Sequence, residues 1–231
     1  MTWEIRNEWC KDIGMLRIDR SIPPGGCRFA TRFCGGCNGE AGACFNYKLY
    51  TAFGHAMAPK DVKNERFWHN LFSGSYIASR IAKFRGKKQT GRIRFATRGE
   101  AFSTLADIDL VASVIRENPA TLFWIPTRAW NHPLFAALID HKVRSLPNAR
   151  VLASTDPTTT PSEYRALVDA GWPTMHFGEG IRDWVARFGV KSRIACPKTH
   201  ASKVVGKGFC AKCDIGCFSD SRRVDVHLEE H

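Results

Sequence analysis

Apolar positions along the chain fall into short runs separated by longer amphipathic stretches. Met15-Leu-Arg-Ile-Asp-Arg-Ser-Ile22 is the first short run. Pro23-Pro24-Gly25-Gly26 stops it, a strong turn signal. Arg92–Thr97, Thr121–Ile125, Asn148–Ser154, Pro173–Phe177 and Ser192–Ala195 follow as five further strands. The stretches between them read as helices. Thr104-Leu-Ala-Asp107 is a capping box. The helix it opens gathers Leu105, Ile108, Val111, Val114 and Ile115 on one face, and Asn118-Pro119 ends it. Another helix starts near Pro133 and buries Leu134, Leu138 and Ile139. Thr160-Pro-Ser-Glu163 is a second capping box whose helix runs to Gly171, and Ile181–Phe188 forms one more. Lys48 to Ile81 is mostly helical by composition.

Six strands alternating with helices imply parallel strands and right-handed crossovers. An open doubly wound sheet and a complete or partial barrel share this rhythm. In either, functional residues sit at the C-terminal ends of the strands. The expected organisation is a βα domain over residues 1–195 with a cysteine-rich loop at 23–47, then a cysteine-bearing tail over 196–231 without clear periodicity. Periodicity does not choose between open sheet and barrel. A curled sheet would bring loop and tail to one rim.

Composition narrows the class. The 231 residues are 44% apolar and 11% aromatic, enough for one domain with a sizeable core, which excludes wholesale disorder. No apolar run approaches the roughly 18–20 residues of a membrane span. The opening Met1-Thr-Trp-Glu-Ile-Arg has no apolar signal-peptide core, so a cytoplasmic protein away from membranes is expected. The formal charge of +12 favours an anionic partner such as nucleic acid or a nucleotide. The basic run Arg80, Lys83, Arg85, Lys87, Lys88, Arg92, Arg94, Arg98 reads as a solvated connection or a nonspecific nucleic-acid contact.

The nine cysteines carry the chemistry. An odd number in a reducing compartment argues against a disulfide framework and for metal or redox use. The first set is Cys27-x6-Cys34-x2-Cys37-x6-Cys44; the second is Cys196-x13-Cys210-x2-Cys213-x3-Cys217. Cys10 is left over and reads as a small buried hydrophobe. Thiolate-only ligation is soft and suits zinc or iron–sulfur clusters. Zinc usually takes two Cys-x2-Cys knuckles, and each set has one. The staggered spacings therefore look more like wraps around a larger cluster. A single zinc shared by Cys34, Cys37, Cys210 and Cys213 is the alternative.

Other candidates stand at expected strand ends. Gly99 and Glu100 follow the second strand, Thr127 and Arg128 the third, Ser154 and Asp156 the fourth. Glu100 would receive an ammonium or hydroxyl, Arg128 a carboxylate or phosphate, and Ser154 with Asp156 a ribose edge; ordinary loop chemistry explains each equally well. His176 with Glu179 reads first as a buried, satisfied histidine and second as a general base. His55, His69, His132, His141 and His227 have no recognisable spacing.

Pro24-Gly-Gly-Cys27 with Cys34, Cys44-Phe-Asn-Tyr47, Arg98-Gly99-Glu100-Ala-Phe102, Phe123-Trp-Ile-Pro-Thr127-Arg128, and Cys196-Pro197 with Cys210, Cys213 and Cys217-Phe218 together resemble the phage-encoded gene product eighty-eight family, over about residues 20–218. The layout is also similar to the radical S-adenosylmethionine superfamily. That resemblance implies a partial (β/α)6 barrel. Cys27, Cys34 and Cys37 would hold a [4Fe-4S] cluster with one open iron. Gly99 and Glu100 would meet the amino group of S-adenosylmethionine, Ser154 or Asp156 its ribose, and the tail set an auxiliary cluster. The chain departs from that pattern in the x6 spacing, in Gly36 before Cys37 and in Arg98 before Gly99. Cys44 is either a fourth ligand, which closes the open iron, or the third in place of Cys37.

The expectation is thus a phage-type iron–sulfur protein with one or two clusters, in the host cytoplasm, and a radical S-adenosylmethionine-like enzyme acting on a nucleotide or nucleic-acid-related substrate. The alternatives are a non-catalytic electron-transfer or sensing protein served by an electron donor, and a zinc-stabilised nucleic-acid-binding module. A barrel that modifies DNA bases through Asp156 ranks behind these.

Overall fold

Eight strands among the described residues share one sheet: β1 (Trp9–Cys10), β2 (Met15–Ile18), β3 (Arg92–Phe95), β4 (Leu122–Thr127), β5 (Ala149–Thr155), β6 (Thr174–Phe177), β7 (Arg193–Ala195) and β8 (Asp225–Leu228). The structure is a computed structural model and describes residues 9–10, 15–20, 26–35, 42–66, 68, 91–97, 99–191, 193–200, 209–213, 216–218 and 225–228. The strand order is β1-β2-β3-β4-β5-β6-β8-β7. β1 is antiparallel to β2, and the other pairings are parallel. The result is an open, seven-stranded parallel sheet with one antiparallel edge strand. The α/β class is as expected, whereas the expected barrel is not closed among the described residues: β1 and β7 are the two edges of the sheet.

The helices are α1 (Phe45–Arg66), α2 (Leu105–Glu117), α3 (Pro133–Ile139), α4 (Pro161–Asp169), α5 (Ile181–Phe188) and α6 (Pro197–His200). Both capping boxes form, Thr104 with Asp107 on α2 and Thr160 with Glu163 on α4. Pro133 and Pro161 occupy first turns, where the missing N–H has no helical acceptor to lose. Gly171 stands just past α4 at φ +70°, in the left-handed region where glycine carries no Cβ penalty. α1 is kinked at Phe53 and contains Pro59. Residues 69–90, which hold the end of the expected Lys48–Ile81 helix and most of the basic run, lie outside the described residues. No helix among the described residues is long and apolar enough to cross a membrane.

Strands β2 to β6 advance one place at a time in the same direction. With right-handed crossovers this puts successive connecting helices on one face. The core agrees. Ile93, Phe95, Phe123, Ile125, Val151 and Ala153 pack with α2 and α3 residues such as Val111, Ile115, Phe135 and Ile139. Because side chains alternate along a strand, the other face carries Trp124, Leu152, Met175 and Val226. Among the described residues no helix of this βα series packs in that second cluster. The tail does: Phe218, Cys196, Cys210 and Cys217 pack there. The tail also returns to the sheet, since β8 inserts between β6 and β7. Asp225-Val-His-Leu228 is too short to show a period by itself; its parallel neighbours on both sides make it a strand.

Candidate metal centre

The tail set is assembled from three stretches over one sheet face. Cys196 follows β7 directly, and its amide donates to His227 O on β8 at 2.9 Å. Cys210 lies in the 3-10 turn Phe209–Lys212, and Cys213 N donates back to Cys210 O at 3.3 Å, which closes the Cys-x2-Cys turn. Cys217 sits in the 3-10 turn Gly216–Phe218, whose Phe218 ring meets Trp124 edge-on at 5.8 Å. All four cysteines line one small cavity of about 40 Å³, part of it open to solvent, with Trp124 and Phe218 among the other walls. Burial, with neighbouring Cys196 second, pushes the Cys210 thiol up to about 11; Arg94 works in the opposite direction. The same causes push Cys217 further up. As free side chains these are protonated thiols, and a bound metal would have to displace their protons. The donor set is soft throughout, and among the described residues that line the cavity none is a carboxylate. That chemistry fits zinc or an iron–sulfur cluster. Among the described residues no three His, Cys, Asp or Glu side chains stand as a ready site for a metal ion.

The first set is held differently. Two turns follow each other, Ala30 N donating to Cys27 O at 3.2 Å and Cys34 N to Thr31 O at 3.0 Å. Ala43 N then donates to Phe33 O at 3.1 Å and Cys44 N to Cys34 O at 3.0 Å, so the backbones of Cys34 and Cys44 are adjacent. Gly42 allows this approach, because a Cβ there would overlap the Cys34 carbonyl. Cys37 lies outside the described residues. The loop docks at the C-terminal ends of β5 and β6. Thr31 Oγ1 donates to Asp156 Oδ2 at 2.6 Å and stands 3.5 Å from Cys34 Sγ. The Phe33 ring meets Phe177 edge-on at 5.9 Å.

Asp156 is wholly buried. It pairs with Arg128 Nη1 and accepts Thr158 N at 2.8 Å. Burial raises its pKa, but Arg128, Thr158 and Thr31 outweigh that and hold it below the usual carboxylate value. The carboxylate that Arg128 holds is therefore internal. Glu100 is 4% exposed. Its Oε1 accepts Thr127 Oγ1 at 2.7 Å and Phe102 N at 3.1 Å, and its Oε2 accepts Arg128 N at 2.9 Å. Burial nevertheless leaves its pKa raised. Each of its oxygens is engaged from within, joining the ends of β3 and β4. Gly99 beside it is exposed, with φ +81°. Ser154 is half-buried, and its carbonyl accepts Trp130 Nε1 at 2.8 Å. Arg98 lies outside the described residues.

A family model, Gene product 88, matches residues 14–217. The chain belongs to the Gene product 88 family. No curated protein and no solved structure matches it. In this Gene product 88 chain the matched span includes both cysteine sets and the C-terminal ends of β3 to β6, and it stops at the last cysteine, Cys217.

Three groups near these sites escaped the sequence reading. Arg92 and Arg94 of β3 face the tail cysteines and not a solvated connection; Arg92 Nη1 donates to Cys213 O at 2.6 Å. Their alternation with Ile93 and Phe95 was the available signal, since apolar residues on one strand face put the arginines on the other. His227 on β8 and His200 at the end of α6 share a hydrogen bond of 2.9 Å, and His227 Nε2 meets Glu179 O at 2.7 Å. No spacing in the chain announces that pair, because only the insertion of β8 brings it together. Thr31, which links loop and rim, had no signal either. His176 is buried, stacked on Trp184 at 5.4 Å, and within 3.0 Å of Thr155 Oγ1. Burial first, then His227, lower its pKa to about 3. Its Nε2 stands 2.9 Å from Glu179 Oε1, so the His176–Glu179 pair named from the sequence does meet.

Proposed function

We propose that this Gene product 88 chain is an iron–sulfur protein whose tail set, Cys196, Cys210, Cys213 and Cys217, holds a [4Fe-4S] cluster against the uncapped face of the sheet. One observation carries the reading: Cys196, from the end of β7, and the Cys210, Cys213, Cys217 segment of the tail line a single, largely apolar cavity. Four soft donors suit zinc equally in kind. The x13-x2-x3 spacing favours the larger group. Such a cluster supplies one-electron transfer. The chain's own residues would keep it from solvent through Trp124 and Phe218 and fix the Cys-x2-Cys turn through Arg92.

A second reading extends the first. The one-directional order of β2 to β6 is the order of a barrel wall, and the Cys27, Cys34, Cys44 loop docks at the C-terminal strand ends where such folds place chemistry. This favours a partial-barrel, radical S-adenosylmethionine-like enzyme with a second cluster on the first set. Glu100 would serve it by shaping the β3 end. Its substrate would be nucleotide-like, in keeping with the +12 charge.

Anaerobic purification followed by iron, sulfide and zinc analysis tests the main reading. Near-equal iron and sulfide with a broad absorption around 400 nm is the expected result. A colourless protein with stoichiometric zinc overturns it and moves the chain to a zinc-stabilised nucleic-acid-binding module. Addition of S-adenosylmethionine to the reduced protein then tests the enzyme: a changed electron paramagnetic resonance signal is expected, and an unchanged one returns the protein to electron transfer or sensing.

A further inference from the structure

The tail centre has a charge problem. Four thiolates around a divalent ion, or around an oxidised [4Fe-4S] core of charge 2+, leave a net charge of −2. Reduction of the cluster makes it −3. Burying such a charge is costly unless opposite charge stands close by. The sheet brings that charge from β3. Arg92 and Arg94 are two residues apart on one strand, so both project from the face the tail covers.

Each arginine is engaged with the cysteine segment or its walls. Arg92 Nη1 donates to Cys213 O at 2.6 Å and lies 3.3 Å from Ala211 O and 3.5 Å from Cys210 O. Its guanidinium lies over the Phe218 ring at 4.7 Å. Arg94 lies over the Trp124 ring at 4.4 Å, and Trp124 is a wall of the cavity that all four cysteines line. Lys198 lines the same cavity. Arginine suits this place better than lysine: it stays charged when buried, stacks on rings, and spreads its donors in a plane.

We infer that Arg92 and Arg94 are the cationic half of the tail metal centre, Arg92 locking the Cys210-x2-Cys213 turn in its ligating form and Arg94 offsetting the charge of the metal–thiolate group. This rests on the tail set holding a thiolate-bound metal, and it holds for a cluster or for zinc. Neither arginine touches the metal in this scheme; both are positioning residues. Hydrogen bonds and charge around cluster sulfurs are the means by which a protein sets reduction potential. With a cluster bound, one electron from dithionite adds a negative charge that Arg94 stabilises. Loss of Arg94 then moves the midpoint to a more negative value. Loss of Arg92 frees the turn and speeds metal loss.

The test uses the full chain, purified without oxygen, with Arg92→Gln, Arg94→Gln, Arg92→Lys and Arg94→Lys beside the wild type. Three readings are taken: metal and sulfide content, the rate of metal loss to excess EDTA, and the midpoint potential in a dithionite titration. Circular dichroism checks that each variant folds. Where Arg92→Gln misfolds, Arg92→Lys and the Arg94 pair still decide. The inference expects metal loss about 10- to 100-fold faster in Arg92→Gln, the usual scale for groups that hold metal ligands in place. It expects a more negative midpoint in Arg94→Gln and partial recovery in Arg94→Lys. Wild-type loss rates and an unmoved midpoint in folded variants overturn it. If the wild type carries zinc and no iron, the cluster reading falls, and the EDTA rates alone judge the arginines. A wild type that takes up neither metal after reconstitution overturns both.

Discussion

The loop carrying Cys27, Cys34 and Cys44 is anchored at the rim by a buried ion pair and hydrogen bonds beside its aromatic contacts, whereas Cys196, Cys210 and Cys217 are themselves packed into an apolar cluster on the sheet. The loop's anchor is the buried Asp156, already satisfied by Arg128, Thr31 and Thr158. That arrangement is complete without a metal. The tail packs on Trp124, Leu152, Met175 and Val226, and its thiols are pushed toward the protonated form. There a metal would supply what the apolar contacts lack. Both regions use one face of the sheet, since Phe177 under the loop and Met175 under the tail are two residues apart on β6. The contrast separates a rim whose polar groups are already paired from a cysteine set that we propose to hold a metal.

The largest expected effect breaks the tail side. Cys217→Ser is expected to abolish metal at the tail set, read by elemental analysis and absorption, while Cys34→Ser leaves that set loaded. Equal losses in both would mean one shared site and would erase the contrast. Next comes the rim. Asp156→Asn leaves Arg128 short of its charge partner. Breaking a buried pair costs about 3–5 kcal/mol, and the 19% exposure of Arg128 puts this one at or below the low end. Iodoacetamide should then label Cys34 faster in Asp156→Asn, with Cys217 unaffected. Faster labelling of Cys217 would show that the two regions are coupled.

Glu100→Gln sharpens the rim from the other side. The amide sets an N–H₂ group against donors that now face carboxylate oxygens. A loss of about 1–3 kcal/mol in urea denaturation is expected. Its pH signature has the opposite sign to that of Asp156. Glu100 titrates above its usual value when folded, so its stabilising contribution is full below the unfolded pKa and lost as pH rises through the folded one. Asp156, held low, contributes above its unfolded pKa and loses that as pH falls. His176 behaves like Asp156: its contribution is present above the ordinary histidine value of 6.5 and lost as pH falls toward about 3. Urea midpoints across pH 3 to 7 should therefore fall less steeply on acidification in His176→Asn than in the wild type. The smallest effect is the reference point. Thr160→Ala removes an N-cap far from either cysteine region and should cost about 1 kcal/mol, with metal content and labelling rates unchanged.

The helix starts at Thr104, Pro133 and Thr160 were legible because each signal spans three or four residues and its energy is local. The parallel order followed from alternation of strand and helix. Cysteine spacing pointed to a soft metal, and the Gene product 88 layout was visible in motif order. Arg92 and Arg94 were placed on the right strand but read within a basic run, as a solvated connection or a nonspecific nucleic-acid contact, because their meaning depends on what covers the far face of β3. Glu100 and Asp156 drew notice as strand-end carboxylates; that their partners are Thr127 and Arg128 in one case, and Arg128 and Thr31 in the other, depends on loops meeting across the rim.

By itself the sequence determined the local elements, the α/β class and the chemical softness of its cysteines, since these rest on neighbours a few residues apart and on side-chain chemistry. Only the tertiary structure decided that the sheet stays open, that β8 slips between β6 and β7, and that Cys196 and the Cys210–Cys217 segment line one cavity on the sheet face that carries two arginines. Those outcomes depend on long-range burial. A four-residue strand or a lone Cys-x2-Cys turn has too little energy of its own to choose a place, and takes the one that the uncapped apolar face leaves to it.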